Sequence, residues 1–222
     1  MEKCEFLNKS IIAHRGIYNN ITIYENTLES IMYAVNNKLS VFIDVRSLKD
    51  NVLVLYHDKD ASRLNKLKDN IDTVCYEELN YISNFLVSTL EDVLNSINGL
   101  VPVIINILDD NKIVRNNMIK LLSSYNGDVL VVSNRYDVLK YYKKKNYVVG
   151  LMIDQSNLSI LKKHPIVDAL LLEYNLLDKI EINYLKEFYY LIGYVVDNRN
   201  DATTYIKIYN NLVIDNIEEV FK

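Results

Sequence analysis

The chain has 222 residues, half of them apolar and 24% charged, which fits one folded domain and excludes a disordered or low-complexity chain. A formal net charge of −4 argues against broad nucleic-acid binding, and the one short basic cluster, Lys143-Lys144-Lys145, reads as the solvated end of a helix. Cys4 and Cys75 lack metal-ligand spacing and read as free thiols; with no apolar run of membrane-spanning length and no apolar core for a signal peptide, a cytoplasmic protein is expected.

Apolar, β-branched runs occur at 10–13, 41–45, 101–108, 128–132, 148–153, 169–172, 191–196 and 211–214. They are nearly continuous, as strands buried on both faces of a parallel sheet are. A further short run at 53–56 follows the second. Between the runs lie segments of helical period. Leu28, Ile31, Met32 and Val35 recur at helical spacing behind the polar start Asn26-Thr27. Thr89-Leu90-Glu91-Asp92 opens another helix as a capping-box variant, with Leu90, Val93 and Leu94 on one face. Segments 113–122, 136–145, 158–163 and 180–190 continue the alternation. Strand and helix alternating through eight strands predicts an α/β fold, a closed (β/α)8 TIM-like barrel forming a single domain over 1–222. An open doubly wound sheet is the alternative, but no Gly-rich phosphate loop follows the first strand.

Polar residues end the predicted strands: His14, Asp44 to Arg46, Asn106, Ser133, Asp154, Glu173, Asp197 and Asp215. In a barrel of this kind that rim carries the active site. Wet strand ends account for some of these residues, but not for the motifs Ile11-Ile12-Ala13-His14-Arg15-Gly16, Glu25-Asn26-Thr27, Asp44-Val45-Arg46 and His57-Asp58. Two histidines and an arginine at one rim can donate a proton, accept a proton and hold a phosphate, which is what phosphodiester cleavage needs.

This series of motifs resembles the glycerophosphodiester phosphodiesterase family, of the phospholipase C-like phosphodiesterase superfamily. Ser62-Arg63-Leu64 is similar to the family's arginine after His-Asp, the segment 88–94 to its threonine-leucine helix start, and Ile214-Asp215 to its final strand. The resemblance implies a (β/α)8-like barrel that hydrolyses glycerophosphodiesters, normally with a divalent cation. It implies that His14 and His57 form the acid/base pair, in an order the residues do not fix. It further implies that Arg15 binds the substrate phosphate, that Asp44 is a metal ligand, and that Glu25 and Asn26 belong to the structural motif.

The departures from the family pattern bear on the cation. Where the family usually has Glu-x-Asp on the second strand, this chain has Phe42-Ile43-Asp44; where it usually has Glu-x-Lys on the third, this chain has Asn106-Ile107-Leu108; and its Trp-Thr becomes Tyr194-Val195. Side chains two apart on a strand share a face, so Phe42 points where Asp44 points and offers a cation no oxygen. Hard cations want six or more oxygens and several carboxylates. With Asp44, Asn106 and, at the same rim, Glu173 as candidate ligands, the expectation is no cofactor or a weakly bound Mg²⁺ or Ca²⁺. Arg46 shares the face of Asp44 and is the candidate to replace the cation and bind phosphate. The stretch 42–46 followed by Val54-Leu55-Tyr56-His57 is similar to the metal-independent bacterial phosphatidylinositol phospholipases C, in which an Asp-x-Arg strand replaces the metal.

The expected function is a phosphodiesterase acting on a small glycerol- or inositol-type phosphodiester, with no nucleic-acid partner and no transmembrane segment; oligomeric state is open. The rival is an inactive descendant that binds a phosphorylated ligand or a protein partner, motivated by the missing family residues.

Overall fold

The computed structural model describes residues 2–65 and 68–221; positions 1, 66, 67 and 222 of the expected domain lie outside the described residues. Among these residues, eight parallel strands close into a barrel in the order β1 (Ile12–His14), β9 (Asn211–Ile214), β8 (Tyr190–Val196), β7 (Ala169–Glu173), β6 (Val148–Ile153), β5 (Val129–Ser133), β4 (Val103–Ile107) and β2 (Ser40–Ser47), with β1 pairing back onto β2. The register Ile12↔Ser40, Ala13↔Val41 and His14↔Phe42 makes the closure. The expected barrel is therefore the fold.

The strands read as unbroken apolar runs because both faces are buried. Alternate residues, among them Ile12, Phe42, Ile104, Leu130, Val132, Leu171, Ile192 and Val213, fill the interior. Their neighbours, such as Ala13, Val41, Ile43, Ile105, Val131 and Leu170, pack against the helices outside. A fully buried Leu, Ile or Phe contributes about 1.5–3 kcal/mol, so this interior layer readily offsets a few strained residues at the rim.

The helical segments start where polar side chains satisfy orphan backbone N–H groups. Thr27 caps α1 (Leu28–Asn36) in a reciprocal box with Ser30, and Thr89 caps α4 (Leu90–Ile97) by accepting from the Asp92 N–H. Asn111 caps α5 (Lys112–Ser124). The outer layer continues with α6 (Tyr136–Lys144), α7 (Ile182–Lys186), α8 (Arg199–Tyr205) and α9 (Ile217–Phe221). A 3₁₀ segment, Glu2–Lys9, lies at the N-terminal end of the strands: Cys4 and Leu7 belong to the interior cluster, Asn211 Nδ2 donates to the Leu7 carbonyl at 2.5 Å, and Tyr190 donates to Asn8 at 2.8 Å.

Several local expectations change. Residues 158–163 form a 3₁₀ turn rather than an α-helix, and the expected helix over 180–190 shrinks to α7, because Tyr190 starts β8. The polar sequence of α8 carries no apolar period and was not legible as a helix. The largest difference follows β2. Its second half outruns β1 and pairs antiparallel with β3 (Leu53–Leu55), through Val45↔Leu55, Arg46↔Val54 and Ser47↔Leu53. From there the chain makes an excursion carrying α2 (Ser62–Asn65) and α3 (Tyr76–Ile82), held by a satellite core of Leu48, Val54, Tyr56, Ala61, Ile71, Leu79 and Val87.

Candidate active site

The first two motifs are locked together through the backbone. His14 ends β1, and the next residue, Arg15, takes a left-handed conformation at φ 58° while its N–H donates to the Phe42 carbonyl at 2.7 Å. Asn26, also left-handed at φ 55°, donates its N–H to the Arg15 carbonyl at 3.0 Å. Asparagine tolerates that region; a long side chain there costs about 1–3 kcal/mol, a strain that clusters at functional sites. Gly16 is required: at φ +87° a Cβ would come within 2.5 Å of the Ser30 carbonyl at the start of α1.

The strained backbone aims the Arg15 guanidinium between two buried carboxylates. Nη1 donates to Glu25 Oε1 at 2.7 Å, and Nε lies 2.8 Å from Asp44 Oδ2. The Nε–H does not point along that second line, so the Asp44 contact is ionic rather than a well-aligned hydrogen bond. Burial opposes the charge on Arg15, but Asp44 and Glu25 outweigh it and hold its pKa above the ordinary value. Asp44 is surrounded by donors: Asn106 Nδ2 reaches Oδ1 at 2.7 Å, Asn26 Nδ2 reaches Oδ2 at 3.2 Å, and the Asp44 N–H donates to Asn26 Oδ1 at 3.1 Å. Glu25 is likewise saturated by Arg15, Asn20 and both terminal nitrogens of Arg63. Burial raises its pKa, but the Arg63 hydrogen bonds, Arg15 and Asn20 prevail and bring it down to about 2.

Each imidazole has a carboxylate behind Nδ1. His14, buried against the Phe42 ring in an edge contact, faces Asp215 Oδ2 at 3.5 Å, an ion-pair distance and longer than a hydrogen bond. Asp215 is itself fixed by the Tyr18 hydroxyl, which donates to Oδ1 at 2.5 Å. Burial alone would raise the Asp215 pKa, and the contacts with His14 and Tyr18 reverse that. His57, on the loop after β3, lies 2.8 Å by its Nδ1 from Asp58 Oδ1, and Asp58 Oδ2 accepts from Arg63 Nε at 2.6 Å. Asp58 is buried enough to favour its neutral form, but Arg63 and His57 keep its pKa low. An ionised carboxylate only accepts, so this contact favours the His57 tautomer that carries its proton on Nδ1.

Arg46 has other neighbours than its shared face with Asp44 implies. Its Nε donates to the His57 carbonyl at 2.9 Å and its Nη1 to Asp109 Oδ1 at 2.7 Å, while the Ser47 N–H holds Asp109 Oδ2 at 3.1 Å. The reason is the length of β2: position 46 lies in the extension paired with β3, beyond the closed part of the barrel. Glu173 ends β7, which is four strands from β2 in either direction around the barrel. It lies near Tyr194, and does not join the Asp44 group. An unbroken chain of contacts thus runs from Asp44 through Arg15, Glu25, Arg63 and Asp58 to His57, with Arg46 bracing the His57 carbonyl. His14 ends the neighbouring strand. Sequence reasoning named Asp215 as a strand end and motif residue, and Asp58 and Arg63 within motifs, without giving any of them a role, and it missed Asp109 and Tyr18. Asp58 and Arg63 had a signal in their spacing from His57; Tyr18 and Asp109 sit on loops with none.

The family model of the glycerophosphoryl diester phosphodiesterase family matches residues 14–175, which span the first motif through the end of β7. The chain belongs to that family. It is accordingly a phosphodiesterase-type enzyme. Among solved structures it is similar to the glycerophosphodiester phosphodiesterase of Thermotoga maritima, at 22% identity and a TM-score of 0.80 over 94% of this chain and 96% of that one. It is also similar to a phosphodiesterase of Oleispira antarctica in complex with the product sn-glycerol-3-phosphate, at 17% identity and a TM-score of 0.79 over 96% of this chain and 95% of that one. At such identities the likeness is one of fold. No curated protein matches the chain in sequence. No helix among the described residues is long and apolar enough to cross a membrane.

Members of the family generally use a divalent cation, and the donor set here does not fit one. Both Asp44 oxygens already face N–H donors, one of them a permanent cation, and both Glu25 oxygens face guanidinium groups. Phe42 contributes an aromatic ring to the interior where the family has a carboxylate. Among the described residues no three of His, Cys, Asp and Glu converge on a common point. A divalent ion at Asp44 would have to displace or sit against the Arg15 guanidinium.

Proposed function

We propose that this enzyme cleaves a glycerol- or inositol-type phosphodiester by two-histidine acid/base catalysis, with guanidinium groups rather than a tightly held cation stabilising the phosphate. The observation that carries the reading is that two imidazoles each face a carboxylate from Nδ1, with Arg15 next to His14 in the chain and linked to His57 through Glu25, Arg63 and Asp58. A glycerol-type substrate is favoured by family membership and by the sn-glycerol-3-phosphate bound to the Oleispira antarctica phosphodiesterase.

The hydroxyl next to the phosphate attacks phosphorus while one imidazole Nε2 takes its proton. The bond to the leaving alkoxide breaks, and the other histidine delivers a proton to that oxygen. The products are an alcohol and a cyclic phosphodiester, which water then opens with the two histidines in exchanged roles. Asp58 fixes the His57 ring with Nδ1–H inward, and Asp215, at ion-pair distance from His14, stabilises that imidazolium when it forms. Arg15 keeps Nη2 for a phosphate oxygen, since Nη1 and Nε are engaged with Glu25 and Asp44. Arg46 sets the His57 loop through the His57 carbonyl and adds positive charge at the same rim.

The test is ³¹P NMR of the purified protein with a glycerophosphodiester whose 2-hydroxyl is free. The reading expects a transient cyclic phosphate followed by a glycerol monophosphate, and neither species from His14→Ala or His57→Ala. Absence of both species with wild-type protein, together with phosphate or partner binding at this rim, would replace catalysis with the binding role.

A further inference from the structure

We propose that Arg63 is a positioning residue that couples the proton-transfer group His57 to the phosphate-binding group Arg15. This rests on the reading of His57 and Arg15 given above. The geometry is that of a three-donor bridge between two carboxylates on separate segments. Arg63 Nη1 and Nη2 donate to the two oxygens of Glu25 at 2.9 and 2.7 Å, and Nε donates to Asp58 Oδ2 at 2.6 Å. Each carboxylate then holds one working group by its other contacts: Glu25 holds Arg15 at 2.7 Å and Asp58 holds His57 Nδ1 at 2.8 Å.

The bridge is built from the excursion after β3 rather than from the barrel. Arg63 lies on α2, a single turn rooted in the satellite core by the buried Ala61 and by Asn65, whose Nδ2 donates to the Tyr56 hydroxyl at 3.2 Å and whose Oδ1 accepts from the Asn84 N–H at 3.2 Å. The Arg63 side chain is 43% exposed, so its packing adds little to the core and its hydrogen bonds carry its effect. Lysine could not substitute: one ammonium on a flexible stem cannot give parallel donors to Glu25 and a third to Asp58.

The consequence is a fixed tautomer. Asp58 anchored by Arg63 keeps His57 protonated at Nδ1, which leaves the lone pair for proton transfer on Nε2. Without the bridge Asp58 turns to solvent, the ring loses its partner, and the two tautomers mix. Glu25 still holds Arg15 and is still held by Asn20, so phosphate binding survives. Partners that orient a metal-bound histidine typically cost about 10–100-fold when removed, and a loss of that order is expected here.

The experiment combines long-range ¹H–¹⁵N spectra of the imidazoles with steady-state kinetics on a chromogenic phosphodiester. The chain has 3 histidines, so the His57 signals are identified by their loss in His57→Gln. At a pH where the ring is neutral, wild type is expected to show the Nδ1–H form, and Arg63→Ala and Arg63→Lys a mixture. Both variants are expected to lose about 10–100-fold in kcat with KM within about twofold of wild type. An unchanged His57 tautomer in both variants, or an unchanged kcat, overturns the inference. If wild type has no turnover, the catalytic reading of His57 fails instead, and the spectra alone decide whether Arg63 positions the ring. Arg63→Lys keeps charge and solubility at a half-exposed position, and carries both readouts should Arg63→Ala not fold.

Discussion

The Arg15 guanidinium lies 2.8 Å from the Asp44 carboxylate, with the two side chains only 12% and 1% exposed. An aspartate at that strand position reads as a cation ligand in sequence, but here a side-chain cation already occupies it. Removing one member of a buried pair strands the other, whereas replacing both by apolar groups can be nearly neutral. Asp44→Asn should therefore lower unfolding free energy by about 3 kcal/mol, and Arg15→Met/Asp44→Asn should recover part of that loss. Urea unfolding of the single and double variants measures the coupling. Equal and additive losses would mean that the pair does not interact.

The second test concerns the carboxylate behind His14. Asp215→Asn keeps the shape but removes the charge that stabilises an imidazolium, so kcat should fall by about 10–100-fold while KM stays near wild type. Tyr18→Phe removes only the 2.5 Å hydrogen bond that fixes Asp215 and should have a smaller effect in the same direction. Steady-state kinetics of both variants separates the two. A Tyr18→Phe enzyme more impaired than Asp215→Asn would show that the hydroxyl, not the carboxylate, supports His14.

Acid should loosen the rim before the barrel. Glu25 is lowered from 4.5 to about 2 in the folded protein, principally by Arg63 and Arg15 acting against burial. Between those values the unfolded state binds more protons than the folded state, so stability falls as pH falls. The contribution is complete above about 4.5, declines down to about 2, and amounts to roughly 3 kcal/mol. Urea unfolding at pH 6, 4 and 3 should show this decline in wild type and a shallower one in Glu25→Gln.

Much of the barrel was legible because strands buried on both faces leave nearly continuous β-branched runs, while His14 and Asp44 were read from strand ends and Arg15 and His57 only from their motifs. What was not legible depends on geometry with no local period. Arg46 shares parity with Asp44, yet the antiparallel pairing of β2 with β3 carries it to the His57 carbonyl and Asp109. Glu173 shares the rim, yet the strand order puts it opposite Asp44. The excursion that delivers Arg63 contains one-turn and two-turn helices too short to imprint an apolar repeat, and its small core is assembled from residues scattered between 48 and 87. The polar helix α8 gave no signal for the same reason.

Turnover of a glycerophosphodiester by the purified protein, with and without a chelator, tests the central claim most directly. A guanidinium-based site predicts equal rates in EDTA and in added Ca²⁺ or Mg²⁺, with each of His14→Ala and His57→Ala reducing the rate by about 10²–10⁴. Loss of activity in EDTA that micromolar Ca²⁺ or Mg²⁺ restores would contradict it, and would mean that Asp44 gives up Arg15 to a metal.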